Sequence, residues 1–350
     1  MSNGLFVIFL ASIFGALFTW AFRTLPQEKW QIIAAVPQVK DVTGQWRGLN
    51  LTYYGLLMAT SNALAAVIML ALLGAIGIPA AETLLLMTAI FAICWPASRI
   101  IARAVEKKSY TFTVGGASFV GIIITPWIIQ LINAVIGDNF GKRMPIVPTL
   151  AAASIAYAYA EGLGRLSCIS FGCCYGKKVE QLSPAFRRVF ETVNFVFAGA
   201  TKKVAYEGNL EGVRVIPVQA MTAVTSTVIA LAGTYLYLES YFISALNITL
   251  VLTQVWRIFS ENLRADFRGE TNVFSAYQAM AFFAIAYLVC ITAIFGAVDL
   301  STNIVKGLNS LWNPVVLLLC QILWLTVFLI TGRSSVTGST LTFFVHQDRI

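Results

Sequence analysis

Nine separate stretches of about 20 mostly apolar residues run along this chain, each long enough to cross a hydrocarbon core as a helix. They lie near 4–22, 51–78, 81–103, 113–137, 147–170, 217–238, 240–263, 274–296 and 311–331. Composition supports lipid as the solvent. Of 350 residues, 58% are hydrophobic and 11% charged, whereas a soluble domain carries roughly 25% charged residues. So few charges cannot solvate so much apolar surface. The expected fold is an all-α polytopic membrane protein with about nine transmembrane helices and a small extramembrane α/β insertion. The first run has no basic residues before it and no small-residue cleavage site after it, the pattern of an anchor rather than a removed signal.

The longest polar connection, 177–216, is the expected insertion. Ser183-Pro184 reads as an N-cap followed by Pro at the first helical position, with Gly199 as the stop. Phe186, Val189, Phe190, Val193 and Phe197 then share one face. Such a helix either lies in the headgroup layer or packs on the protein's own surface. Beyond it, Val204-Ala205-Tyr206 and Val213-Arg214-Val215 are expected to pair as a hairpin.

Charge carries the next constraint. The net charge is +8, which in a membrane protein points to anionic lipid headgroups rather than nucleic acid. Successive spans alternate sides, so Lys142, Arg143 and Lys306 fall on one side and the rest of the 24 Lys and Arg on the other. The positive-inside rule places the rich side in the cytoplasm, unless those cations report a ligand instead.

Ionisable groups at membrane depth cost at least about 2.5 kcal/mol each on insertion scales, so each needs a reason. Arg99 and Arg103 share a face of the third span. Glu161 and Arg165 are spaced i, i+4 in the fifth. Arg257, Glu261 and Arg264 repeat that device in the seventh. All three clusters end on one side, where converging guanidiniums would form a positive pocket matched to phosphate oxygens. Alternatively they are paired charges at helix ends whose stems reach the interface. Gly162, Gly164, Gly172 and Gly176 around Arg165 allow close approach and a helix end inside the protein.

The six cysteines are mostly in apolar runs, and His346 is the single histidine. A Cys168, Cys173, Cys174 spacing is not a zinc pattern, and no histidine completes it. No metal and no cofactor is therefore expected; the thiols read as packing, or as one tuned thiol among arginines.

The stretch Gly164-Arg165-Leu166-Ser167-Cys168 through Gly172-Cys173-Cys174-Tyr175-Gly176 resembles the signature of the prolipoprotein diacylglyceryl transferase family, in its divergent form ending GCCYG. Further matches follow in order: Tyr53-Tyr54-Gly55-Leu56, Ser98-Arg99-Ile100, Gly115-Gly116, Pro217-Val218-Gln219, the helix Arg257–Arg264 and Gln278. Together they cover roughly 50–295. The resemblance divides the chain into an extra helix and loop (1–50), a transferase-like core (51–296, with 177–216 as its head insertion) and an extra C-terminal helix and tail (297–350).

That resemblance implies transfer of a diacylglyceryl group from phosphatidylglycerol to a lipobox cysteine thiol of a prolipoprotein, in the bacterial cytoplasmic (inner) membrane. It implies Arg165 and Arg257 on the headgroup phosphate, Glu261 holding an Arg, and Tyr54 at the reacting end. Arg99, Gly115, Gly116, Cys168, Gly172, Gly176, Gln219 and Arg264 would line the substrate. The chain departs from the pattern at Val114 and Ile216, where the family has histidines, and at Met221, Thr222 and Cys168. The phosphate-holding half is kept and the acceptor-facing half is altered. The acceptor is thus a prolipoprotein or another molecule, and a non-catalytic lipid binder or translocator is the competing expectation.

Overall fold

A computed structural model describes residues 2–107, 113–135, 143–266 and 274–350; Lys142, used in the charge count above, lies outside them. The elements run α1 (Asn3–Thr24), β1 (Ile32–Lys40), β2 (Trp46–Thr52), α2 (Tyr53–Ala75), α3 (Ala80–Glu106), α4 (Val114–Val135), α5 (Ile146–Phe171), α6 (Pro184–Phe190), β3 (Phe195–Val196), α7 (Lys203–Tyr206) and β4 (Arg214–Val215). They continue with α8 (Val218–Leu238), α9 (Phe242–Glu261), α10 (Ala276–Phe295), α11 (Ile304–Leu311), α12 (Pro314–Thr331) and β5 (Arg333–Leu341).

Among the described residues, nine helices are long and apolar enough to span a membrane: α1 to α5, α8, α9, α10 and α12. The protein is a multi-pass helical membrane protein. Local chemistry sets several helix starts. Thr52 Oγ1 accepts the Gly55 N–H at 3.3 Å to begin α2, and Ser275 with Gln278 forms a reciprocal capping box on α10. Asn313 caps α12, with Pro314 as its first residue.

The helix carrying the GCCYG-type end is the centre of the bundle. Of the apolar stretch of α5, 72% is buried, against 11% in α3 and α12, so α5 is surrounded by protein and the other two lie at the edge of the bundle. It packs against α2, α8 and α9. Alternating span directions put the C-terminal ends of α1, α3, α5, α9 and α12 on one side, with the N-terminal ends of α2, α4, α8 and α10. We call this the head side. It also carries β1 to β5, α6 and α7.

The first and last spans belong to the same packing as the core. Phe14 of α1 stacks on Tyr159 of α5 at 5.3 Å, and α12 runs along α2. A three-stranded antiparallel sheet, β1-β2-β5, ties chain ends that the sequence division kept apart. Within it Trp46 pairs with Leu341, and the Thr52 N–H donates to Gly332 O at 2.9 Å where β2 enters α2.

Two expectations for 177–216 are corrected. The helix starts at Pro184 as read, but it ends at Phe190 instead of running to Gly199. Asn194 Nδ2 donates to the carbonyls of Phe190 and Glu191, at 3.0 and 2.9 Å, and terminates it. The five apolar residues therefore part: Phe186, Val189 and Val193 are exposed, while Phe190 and Phe197 are buried. The hairpin partner of 214–215 is Phe195–Val196, not 204–206. Residues 203–206 form the turn α7 because Lys202, fully buried, anchors it by donating Nζ to Ser170 O at 2.5 Å and Leu25 O at 3.1 Å.

Candidate functional site

The last turns of α5 carry Tyr157, Glu161, Arg165 and Cys168 at helical spacings of four, four and three, so they share a face. Arg165 Nη2 donates to Glu161 Oε1 at 2.7 Å. Arg257 of α9 donates Nη2 to the same oxygen at 3.2 Å and to the Tyr157 hydroxyl. Its Nη1 reaches Ser118 Oγ at 2.5 Å and Gly115 O at 3.3 Å, on the first turn of α4. One carboxylate thus holds two guanidiniums from different helices. All three side chains are mostly buried, with exposures of 17%, 10% and 6% for Arg165, Arg257 and Glu161.

Beyond Arg165, α5 closes with a turn that folds the chain back on itself. Gly172 adopts φ +75°, its N–H bonding Ile169 O at 3.2 Å, while the Cys173 N–H reaches Cys168 O at 3.1 Å. This is a Schellman end, which glycine's freedom at positive φ makes cheap. The next residues are zipped to α9's end: Lys177 N–H to Leu263 O and Ala265 N–H to Tyr175 O, both 3.0 Å. Gly176 sits where a Cβ would stand 2.4 Å from Ile216 O, so three backbone segments can cross there. Arg264 is thereby carried in beside Cys174, paired in two-point fashion with Asp266 at 2.8 and 2.6 Å.

Between these parts lies a small cavity lined by Arg165, Arg264, Gln219, Cys174, Thr222, Ser260 and Val218. Its volume is about 10 Å3, room for one water-sized occupant. Gln219 is 1% exposed; its Nε2 donates to Cys173 O at 2.8 Å, and among the described residues its Oε1 has no hydrogen-bond partner. The side chain brings an unused acceptor to a cavity walled by cations. Outside the spans, hydrogen bonds from the Cys168 and Cys173 thiols, and then the nearby positive charges of Arg264 and Arg165, hold the Cys174 thiol well below its usual range.

Of the sequence candidates, Arg165, Arg264, Gln219, Gly172 and Gly176 build or line this region, and Arg257 with Gly115 forms its inner wall. Tyr54 stands at the start of α2 with its ring 5.6 Å from Phe171, within electrostatic range of the three thiols and Arg165. Cys168 joins the thiols. Gln278 bonds Ile258 O at 3.1 Å and so braces α9. Gly116 packs against Ile101 of α3 and makes room for a helix rather than a ligand. Arg99 and Arg103 lie exposed on α3, and the Arg99 guanidinium sits 5.7 Å from the Trp95 ring. They are absent from the cavity lining.

The shared carboxylate is Glu161. Glu261 is half-buried and within electrostatic range of Arg264. Sequence reasoning passed over Tyr157, Ser118 and Asp266, and read Thr222 only as a departure from the family pattern, whereas it lines the cavity. The i−4 spacing of Tyr157 from Glu161 was the available signal for the first. At the positions where the resembled family has histidines, Val114 is exposed and Ile216 packs in a small satellite core. His346 lies exposed in the C-terminal tail, 5.1 Å from the Phe344 ring.

Comparison with protein-family models and with curated proteins finds no match for this chain. The fold and site define a polytopic helical membrane protein with a buried arginine–carboxylate centre opening toward its head side.

Proposed function

We propose that this protein binds the phosphate of an anionic phospholipid such as phosphatidylglycerol at Arg165 and Arg264, with Arg257 behind them on the shared carboxylate, and transfers the lipid's diacylglyceryl group to an acceptor, in the bacterial cytoplasmic membrane. One observation carries the reading: Arg165 and Arg257 share Glu161 at membrane depth, and Arg165 reaches from that pair into the cavity it lines with Arg264. Buried guanidiniums held rigidly by a carboxylate are preorganised to receive negative charge as it develops on a leaving phosphate. The cavity holds only a water-sized guest, so the headgroup displaces that guest and sits at the mouth between Arg165 and Arg264. Gln219 Oε1 supplies an acceptor for a headgroup hydroxyl, and Tyr54 stands on the thiol side of the site. The acceptor is a prolipoprotein cysteine or another nucleophile.

A second reading, a non-catalytic lipid binder or translocator, is favoured by one feature: no histidine lines the cavity, so the usual proton acceptor is missing from it. Incubation of the purified protein with headgroup-labelled phosphatidylglycerol separates the two. Release of glycerol phosphate that disappears in Arg165→Ala supports transfer. Retention of the lipid without release, over thiol and hydroxyl acceptors alike, sinks it in favour of binding.

A further inference from the structure

Cys168, Cys173 and Cys174 place their three sulfurs within 4.8 Å of one another. The local backbone produces this convergence. In a Schellman end, the third residue from the helix terminus and the second beyond the cap meet across the turn; here those two are Cys168 and Cys173. Cys174 follows at φ +57°, a conformation uncommon outside glycine, and the strand-like bonds of 175–177 to 263–265, just past α9, hold it there. The turn is fixed on both flanks, so the thiols are already gathered without a ligand.

A soft ion bound to sulfur at about 2.3 Å in a trigonal plane needs sulfurs about 4 Å apart. The three sulfurs, all within 4.8 Å of one another, already stand near that spacing. Among the described residues the ligand cluster consists of the three thiols alone, which suits trigonal coordination better than the four ligands of structural zinc. Thiolate sulfur selects soft ions such as Cu(I). Three thiolates and one monovalent ion leave two negative charges, and Arg165 and Arg264 line the same cavity as Cys174 and offset part of them. We propose that Cys168, Cys173 and Cys174 form a three-thiolate site for a soft monovalent d10 cation, Cu(I) in the first instance. Loading forms three metal–sulfur bonds, releases the thiol protons to solvent and changes no oxidation state.

The test uses the full-length protein, reduced and anaerobic in detergent, titrated with Cu(I) against a chromogenic Cu(I) chelator. One Cu(I) per chain is expected, with thiolate-to-metal absorbance in the near ultraviolet. Loading should protect Cys168, Cys173 and Cys174 from a membrane-permeant maleimide, mapped by mass spectrometry, while exposed Cys290 still reacts. This readout needs no variant. Cys174→Ser should weaken binding by more than the roughly 10–100-fold that outer partners carry, and a Cys94→Ser/Cys290→Ser/Cys320→Ser variant should bind as the native chain does. The site is overturned if the chelator strips all Cu(I), if protection spreads evenly over the six cysteines, if Zn2+ is retained where Cu(I) is lost, or if two of the three thiols are isolated as a disulfide.

Discussion

Replacing Glu161 by Gln separates two properties that most mutations move together. Its Oε1 lies 2.7 Å from Arg165 and 3.2 Å from Arg257. At an effective dielectric near 20, these distances correspond to gross attractions of roughly 6 and 5 kcal/mol. Most of that offsets the cost of burying the charges. The net loss on removing one partner of a buried pair is about 3–5 kcal/mol, because uncompensated charge is left behind. The amide keeps an oxygen at the same place, so the lower end applies. A loss of about 3 kcal/mol corresponds to a fall of roughly 5–10 °C in melting temperature. Anion affinity should move the other way. Deleting one negative charge beside the cavity favours a phosphate by about 1.4 kcal/mol, or tenfold, at the intermediate dielectric of a partly wet site. The assay pairs thermal unfolding in detergent with binding of a fluorescent phosphatidylglycerol. A second substitution, Arg257→Gln on top of Glu161→Gln, should recover part of the stability by removing a stranded cation. An unchanged melting temperature together with unchanged or weaker lipid binding would refute Glu161 as the shared counter-charge.

Three further outcomes follow from the geometry. Burial lowers the Lys202 amine from its ordinary 10.5 to about 8. Between those values the unfolded chain holds the extra proton, so stability should rise from pH 8 toward pH 10 by up to about 3 kcal/mol. Lys202→Met, followed by thermal melts across that range, should flatten the slope. Gly176→Ala places a Cβ 2.4 Å from Ile216 O; it should loosen the crossing of 175–178 with 215–216, seen as faster amide exchange there and weaker lipid binding. Gly55→Ala meets Gly332 Cα at 2.0 Å, so α2 and α12 must part, and protease cutting between α12 and β5 should accelerate; unchanged cutting would count against that junction.

The spans were legible because an apolar run of 18 or more residues has few alternatives to a helix. The sheet was not. Residues 46–51 find their partner in 333–341 across nearly the whole chain, and a strand of alternating exposure carries no mark of which distant strand it joins. The same limit shaped the site. Span counting tells which end of a helix Arg99 occupies but not which way around the bundle it faces, so Arg99 was expected beside Arg165 and instead lies exposed next to Trp95. Glu261 attracted the positioning role because it sits between two arginines on its own helix. Glu161 holds two guanidiniums, since α5 is central and its carboxylate can reach arginines on two helices, while Glu261 stays within electrostatic range of Arg264. The turn at Gly172 was readable in principle: a glycine after a helix end implies which flanking residues meet, and here both are cysteines.

The sheet makes the orientation question sharper than charge counting alone. Because β5 pairs with β2, and β2 leads directly into α2, the C-terminal strand must share a compartment with 32–52 and with 177–216. Reporters fused after Ile350 and inserted at the exposed Gly212 turn should therefore give the same signal; opposite signals would break the β2–β5 pairing. The basic excess on that side predicts cytoplasm. Several of those cations, however, are committed to partners: Arg165 and Arg257 to Glu161, Arg264 to Asp266 and Lys202 to two carbonyls. Retaining the positive-inside bias after their removal would mean that head-side residues such as Lys177, Lys178, Arg188 and Arg214, exposed or half-buried, carry it. Substituting those four by Gln should weaken or invert the orientation while sparing the buried site. If both reporters instead read the exterior, the site meets secreted thiols and the prolipoprotein acceptor stands; if both read the cytoplasm, the acceptor is a molecule that has not yet crossed the membrane.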